Sequence, residues 1–234
     1  MIIKRIIAKL RYYYVRRSSA SYIDYLRSKG IAIGEGTYIQ DPLHIEIDDT
    51  RPSLITIGKD CFFNSFVELH SHDWVTHVFL RTNRDFVNSS GRIRIGNNVA
   101  FGRHVMVLKG VTIGDNCFIG ANSTVTKDIP ANSIAVGSPA KVVMSLEEYY
   151  QKRLMVCEEE ALDYARSIQE RFCRRPVPTD FWEEFPLFVS GDDVGKYPEI
   201  PICKQLGPAY QNFVSSHKAK YNSFEAFLDA AGIK

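Results

Sequence analysis

The chain has 234 residues, 45% of them hydrophobic and 24% charged, which is enough to bury one large domain or a medium domain with an appendage. That balance excludes disorder, collagen and a coiled coil for the bulk of the chain. The net charge of +2, from 29 Lys+Arg against 27 Asp+Glu, gives no reason to expect a nucleic-acid partner.

No apolar run reaches the roughly 18 residues of a transmembrane helix. Cys61, Cys117, Cys157, Cys173 and Cys203 are scattered and contain no C-x-x-C pair, which reads as a reducing compartment without a thiolate metal site. Residues 1–10 lack the long apolar core and small-residue cleavage site of a signal peptide, so the expected location is cytoplasmic.

Residues 1–29 hold eight Lys or Arg and one acid, Asp24. Ile3, Ile6, Ile7, Leu10 and Tyr14 fall near helical spacing and predict a basic amphipathic helix. Two readings stay open. Residues 1–17 meet a membrane surface, possible at the inner face of the membrane, or the helix packs across the open first edge of the fold that follows. The second is preferred.

From Ile95 the sequence keeps a period of six: Ile95, Phe101, Val107, Ile113, Ile119, Val125, Ala131. A second set follows each of these by four: Val99, Val105, Val111, Cys117, Ser123, Ile129, Ala135. All but Ser123 are apolar, and neither a helix (3.6) nor a plain strand (2) gives such a period. Gly96, Gly102, Gly114 and Gly120 each follow an inward residue, which suits short strands joined by tight corners. The pattern is that of a solenoid.

The same phase appears at Ile33, Ile39, Ile45, Ile57, Phe63 and Leu69, with one unit lost near Arg51-Pro52. Between His70 and Arg92 the period stops, which predicts a projecting loop over 73–92, and a loop of that length usually has a function. His70, His72 and His77 lie in or beside it.

After Met144 the composition changes. Ser145 and Glu148 form a capping-box pattern, and Tyr150, Leu154, Ala161, Ala165, Ile168 and Phe172 continue at helical spacing until Pro176. Residues 176–210 show no period, and Ser223 to Ala231 reads as a closing helix. Three parts are therefore expected: a helical segment 1–29, a solenoid 30–144, and a helical and irregular extension 145–234, whose expected role is capping or buttressing.

The hexapeptides Ile113-Gly114-Asp115-Asn116-Cys117-Phe118 and Ile119-Gly120-Ala121-Asn122-Ser123-Thr124 resemble the left-handed parallel β-helix acyltransferases. The run Val125-Thr126-Lys127-Asp128-Ile129-Pro130, then Ala135 to Val143, is similar to the end of their coenzyme A domain. Within that superfamily the chain looks closest to the galactoside/maltose and capsule-sugar O-acetyltransferases, over about half its length. The resemblance implies left-handed coils of three strands, a homotrimer, acetyl-CoA as cosubstrate without a metal, and a saccharide acceptor in surface or capsular polysaccharide synthesis. If that acceptor is lipid-linked, membrane attachment gains a purpose.

Acetyl transfer from a thioester to a hydroxyl needs a base, and histidine titrates near neutrality. The resemblance assigns that role to His72, in Leu69-His70-Ser71-His72-Asp73-Trp74. His70 is the competitor, two residues away on the same face. Asp73 is a candidate helper, although neighbouring strand residues point to opposite faces. Trp74 is a candidate sugar-stacking residue or a buried loop anchor. Asn64 is a candidate acceptor contact or a turn residue. For the coenzyme, the family register falls on Arg103, Ala121, Thr126, Lys127 and Lys141, with Lys141 and Met144 standing where relatives carry more basic residues.

A γ-type carbonic anhydrase, the zinc enzyme of this fold, is disfavoured because His104 has no histidine partner on the later coils. A serine acetyltransferase would carry its helices before the solenoid, and a nucleotidyltransferase fusion would need a Gly-rich domain there. An amino-sugar N-acetyltransferase and a non-catalytic scaffold or binding module remain the alternatives.

Overall fold

The computed structural model describes residues 2–234, apart from the side chains of Ile2, Ile3, Lys4, Ile6 and Ala8. The Ile3 and Ile6 positions of the N-terminal apolar pattern thus lie outside the described side chains. The chain divides into two compact units, one up to Tyr150 and one from Gln151 to Lys234.

The first unit is a solenoid with three faces of parallel strands. The first face stacks Ala32–Ile33, Ile55–Ile57, Ile93–Ile95 and Thr112–Ile113. The second stacks Tyr38–Ile39, Phe62–Phe63, Ala100–Phe101, Phe118–Ile119 and Ser133–Val136, and ends in the antiparallel Lys141–Ser145. The third stacks Glu46–Ile47, Glu68–His70, Met106–Leu108 and Thr124–Val125. Every coil sends one apolar side chain inward from each strand, so Phe63, Phe101 and Ile119 form one buried column and Leu69, Val107 and Val125 another. Such side chains each contribute about 1.5–3 kcal/mol on burial.

The period of six is not kept throughout. Ile47, not Ile45, lies beside Leu69, and Ile45 takes a corner position while remaining buried. At the other end the final coil is shorter by two residues: Ile129 stands against Ile113 and Ala135 against Ile119. Ala131, expected inside, is therefore exposed, and Ser133 fills the buried corner position below Cys117.

The glycines act differently from expectation too. Gly96, Gly102, Gly114 and Gly120 do not have positive φ. A Cβ on Gly114 would lie 2.5 Å from the Ala131 nitrogen, so close stacking of coils requires glycine there. The left-handed corners are instead occupied by Asn98, Asn116, Asn122 and Asn132, a residue type that tolerates αL, and by Phe66 and His104. Asn98 donates to Asn116 at 2.9 Å, and Asn116 to Asn132 at 3.0 Å, making a side-chain ladder down one corner.

Two helices precede the first coil, α1 (Ile2–Val15) and α2 (Ser19–Lys29). The helix that closes the open end is α2: Tyr22, Ile23 and Leu26 are buried in the solenoid core. It starts at the Ser18 N-cap and ends at Gly30, whose φ of 107 suits a left-handed C-cap. The expected packing of the basic amphipathic helix across that edge is thus performed by its neighbour.

The projecting loop has a stem, His72–Asp73 paired antiparallel with Ser89–Ser90, and carries a short helix α3, Thr76–Arg81. It begins one residue earlier than the expected 73–92. Ser145 and Glu148 form the reciprocal capping box of α4 (Leu146–Phe172). In the second unit, Ala161, Leu162, Ala165 and Ile168 of α4 join Phe181, Phe185, Phe188, Phe213, Phe224 and Phe227 in a separate core. Short helices α5 (Ile202–Leu206), α6 (Tyr210–Ser216) and α7 (Phe224–Ala230) complete that unit. No helix is long and apolar enough to cross a membrane among the described residues.

Candidate active site

The third face presents its even-numbered residues outward, the odd-numbered Ile47, Leu69, Val107 and Val125 being buried. Glu46 and Glu68 lie side by side, followed on the same row by Met106 and Thr124, while His70 stands beside Leu108. The first two coils of this face are therefore polar and the third apolar. Over the polar part lies a cleft of about 780 Å³, floored by Glu46, Glu68 and His70 and walled by Phe66 and His44 on one side and by Asp48 and His72 on the other. Arg11 and Tyr12 of α1, Arg16 just after it, and Tyr25 and Lys29 of α2 also line it.

His72 sits where the strand Glu68–His70 leaves the solenoid and becomes the loop stem. Its Nδ1 is 2.6 Å from Asp48 Oδ2, and the two side chains are 21% and 8% exposed. An ionised carboxylate only accepts, so Nδ1 carries the proton and Nε2 is left basic. Among the described residues Nε2 has no hydrogen-bond partner.

Asp48 also accepts from the buried Ser71 hydroxyl and from Thr50, through its N–H at 3.1 Å and its hydroxyl at 2.5 Å. Burial pushes the Asp48 carboxyl up, but the hydrogen bonds from Ser71, Thr50 and His72 outweigh it and hold the group well below the usual carboxylate range. Asp48 is thus a fixed anion.

The sequence pattern alone does not single out Asp48. Its signal was the slip in the repeat: the extra residues after Ile47 let the chain turn at Asp48-Asp49-Thr50 beside the strand that ends at His70. Asp73, the expected helper, does not touch His72. It accepts from Val75 N–H at 3.0 Å, from Ser89 at 2.9 Å and from Lys109, and Lys109 above all lowers its carboxyl to about 2. It ties the loop stem to the next coil's corner. The alternation of strand faces accounts for this.

His70 differs from His72 in its partner. Its Nε2 is 2.7 Å from Glu68 Oε2, and Glu68 is 38% exposed against 8% for Asp48, so the orienting carboxylate is solvated. Trp74 is 72% exposed and anchors nothing in the loop's interior. Asn64 accepts the neighbouring Ser65 N–H at 2.8 Å, a local turn contact. His77 is on α3, exposed.

The positions expected to hold the coenzyme fall into two groups. Arg103 and Ala121 stack one coil apart at the corner between the second and third faces, where Asn122 N–H donates to Arg103 O at 2.9 Å. Thr126 and Lys127 are exposed at the corner between the third and first faces, directly after the strand Thr124–Val125. Lys141 is exposed opposite Val136 in the terminal hairpin, whose turn packs on the third face through Ser138 and Thr124, 3.0 Å apart. The third face separates these groups. No cluster of three or more His, Cys, Asp or Glu is arranged for a metal ion among the described residues.

Residues 92–127 match the family described as bacterial transferase hexapeptide (six repeats). The chain is 41% identical over 126 residues to galactoside O-acetyltransferase of Escherichia coli (strain K12), covering 52% of this chain and 59% of that protein. It is 59% identical over 58 residues to a putative acetyltransferase of Staphylococcus aureus (strain COL), covering 25% of this chain and 29% of the relative. Among solved structures, a galactoside acetyltransferase in complex with coenzyme A is 30% identical, with 63% of this chain and 83% of that chain covered and a TM-score of 0.43. The chain thus spans less than two thirds of the length of these two curated relatives. The period of six, the stacked Gly and Asn corners and the sequence match agree on one conclusion: residues 92–127 are bacterial transferase hexapeptide repeats, set within the solenoid.

Proposed function

We propose that the protein is an acetyl-CoA-dependent O-acetyltransferase acting on a sugar hydroxyl, with His72 as general base and Asp48 as the residue that orients it. The observation that carries this reading is the Asp48–His72 pair at the wall of the cleft, on a hexapeptide-repeat transferase domain. The galactoside O-acetyltransferase similarity supports the acceptor class. A role in surface or capsular polysaccharide synthesis, in the cytoplasm where acetyl-CoA is made, is the setting we assign.

The acceptor hydroxyl lies against His72 Nε2 and gives up its proton as its oxygen attacks the thioester carbonyl carbon. The tetrahedral oxyanion is held by a backbone N–H at a corner. Collapse breaks the carbon–sulfur bond, and the imidazolium returns the proton to the coenzyme A thiolate. Asp48 fixes the tautomer and stabilises the transient imidazolium, the work a buried carboxylate does for histidine elsewhere. No covalent acetyl-enzyme is needed, and Cys117 is buried in the core.

The coenzyme would run along the apolar and hydroxyl-bearing part of the third face, over Met106, Leu108 and Thr124, with Arg103 and Ala121 on one border and Thr126, Lys127 and Lys141 toward the other. Two borders so separated fit a coenzyme held between copies of the chain; the homotrimer and the left-handed winding are what the family resemblance implies. Asn64 and Trp74 remain candidate acceptor contacts, Trp74 through its exposed ring.

The test is acetyl-CoA consumption by wild type and His72→Ala over a panel of sugars, with acetyl-CoA binding followed separately. His72→Ala is expected to bind the cosubstrate and lose about 10²-fold or more in rate. Unchanged turnover would move the base to His70, and failure of wild type to bind acetyl-CoA would leave a scaffold. Identification of the product as an amide rather than an ester would make it an amino-sugar N-acetyltransferase.

A further inference from the structure

The first helix is inverted. At about 100° per residue, Ile7, Leu10 and Tyr14 share one stripe of α1, and Arg5, Lys9, Arg11 and Tyr12 lie outside it. A helix that merely covers a fold turns its apolar stripe inward. In α1 the side chains that face the protein are those of the other arc: Arg11, Tyr12 and Val15 line the cleft, followed by Arg16 just past the helix end. Tyr12 donates to Leu43 O at 3.3 Å, and Arg16 donates to Pro42 O at 2.5 Å and Ile45 O at 2.8 Å. Arg16 also lies 4.2 Å from the Tyr22 ring centroid. The stripe looks outward, with Ile7 59%, Leu10 64% and Tyr14 64% exposed.

The charge is as one-sided as the apolar stripe. Lys4, Arg5, Lys9, Arg11, Arg16 and Arg17 fall within the first 17 residues, and the first acid in the chain is Asp24. The edge of the solenoid that such a stripe would otherwise cover is already closed by Tyr22, Ile23 and Leu26 of α2.

The geometry points to α1 as a docking helix for an anionic membrane surface, lying in the plane of the headgroups with Ile7 and Leu10 in the acyl boundary and the exposed Arg5 and Lys9 against lipid phosphates. Charge decides between this occupant and a second copy of the chain. Residues 1–17 carry six cations and no acid; Arg11 and Arg16 turn to the protein, which leaves Arg5, Lys9 and Arg17 exposed as the complement to an anionic bilayer, whereas a copy of this chain carries a net charge of +2. Tyr13 and Tyr14, both exposed, have the amphipathic rings that suit the headgroup level, and the Arg17 guanidinium lies 4.0 Å from the Tyr14 ring centroid. The docking does not rest on the transfer chemistry. One consequence does rest on it: because the same helix roofs the Asp48–His72 cleft, a saccharide carried on a lipid would reach His72 without leaving the surface.

The test is co-sedimentation of the full chain with vesicles of phosphatidylcholine alone or mixed with phosphatidylglycerol, at low and high salt. Wild type is expected to bind only the anionic vesicles and to be released by salt. Ile7→Glu with Leu10→Glu should abolish binding while leaving turnover of a soluble acceptor unchanged. Lys9→Gln should weaken it about five-fold, the equivalent of about 1 kcal/mol per surface charge. No binding by wild type, or full binding by the double variant, would overturn the proposal. So would a fall in oligomeric mass of the double variant in sedimentation equilibrium, which would assign the stripe to a contact between copies. Vesicle binding is read without turnover, so a failed acetyl-transfer assay leaves this test intact.

Discussion

The two units bury their apolar residues by different logics. In the solenoid, each inward residue has its neighbours fixed at a constant spacing along the chain, so Val107 packs between Leu69 and Val125 because strand register puts it there. In the unit from Gln151 to Lys234, the core is an aromatic cluster drawn from distant positions. Phe181 meets Phe224 at 5.6 Å and Phe227 at 5.1 Å, and Phe188 meets Phe224 at 5.0 Å. A repeat spreads its stability over many equal steps, each leaning on its nearest neighbours. A cluster concentrates it in a few rings.

The comparison breaks most visibly at Phe227, which is fully buried among Phe181, Phe188, Tyr221 and Phe224. Phe227→Ala is expected to cost about 3–5 kcal/mol. Amide exchange should show the loss confined to residues 151–234, with protection of the solenoid strands kept. A uniform loss across both units would mean that they unfold as one and that the contrast in core logic has no energetic counterpart.

Much of the solenoid was legible in the sequence because its period is a local property. Ile95, Phe101 and Val107 announce their common role without knowledge of anything distant. The misreadings came where the coil changed length. A strict period of six puts Ala131 and Ile45 on the inward rows, and that period fails where a coil loses two residues before Ile129 or gains two before Ile47. Asp48 was hidden by the same slip, since its partnership with His72 depends on strands brought together across that irregular coil. The aromatic core of the second unit has no period at all, so Pro- and Phe-rich sequence was readable there only as packed and irregular. The inverted face of α1 was hidden for another reason: the apolar spacing fixes where the stripe is on the helix and says nothing about which side meets the protein.

The solenoid's own irregularity is the second place to press. Asp48→Asn keeps the shape of the side chain and removes the charge that fixes His72. A loss of about 10²-fold in kcat, or about 2.7 kcal/mol in activation free energy, is expected, with acetyl-CoA affinity unchanged. The same variant should alter acid stability. Asp48 has its carboxyl pKa depressed in the folded state, so its contribution is present above the unfolded value of about 3.9 and fades as pH falls toward the folded value. Denaturant midpoints below about pH 4 should therefore fall less steeply in Asp48→Asn than in wild type. A parallel fall in both proteins would mean that the carboxyl is not held down by Ser71, Thr50 and His72.

The smallest effect gives the sharpest control, because it uses the same chemical feature once in each unit. Ser18 caps α2 by accepting the Ser21 N–H at 3.2 Å, and Ser223 caps α7 by accepting the Ala226 N–H at 3.1 Å. Removing either hydroxyl leaves one helix N–H without its side-chain partner, at a cost of about 1 kcal/mol. Ser18→Ala should be felt in the solenoid and Ser223→Ala in the second unit, each read as a local loss of amide protection. The local chemistry is equal, so a difference between the two losses measures how each unit passes a small perturbation on. In a nearest-neighbour solenoid the Ser18→Ala loss should fade within the first coils, leaving Val107 and its neighbours as protected as before. In the second unit α7 carries Phe224 and Phe227 directly into the ring cluster, so Ser223→Ala should lower protection throughout residues 151–234. If both losses remain confined to their own helices, the aromatic core is not the cooperative element that its ring contacts indicate.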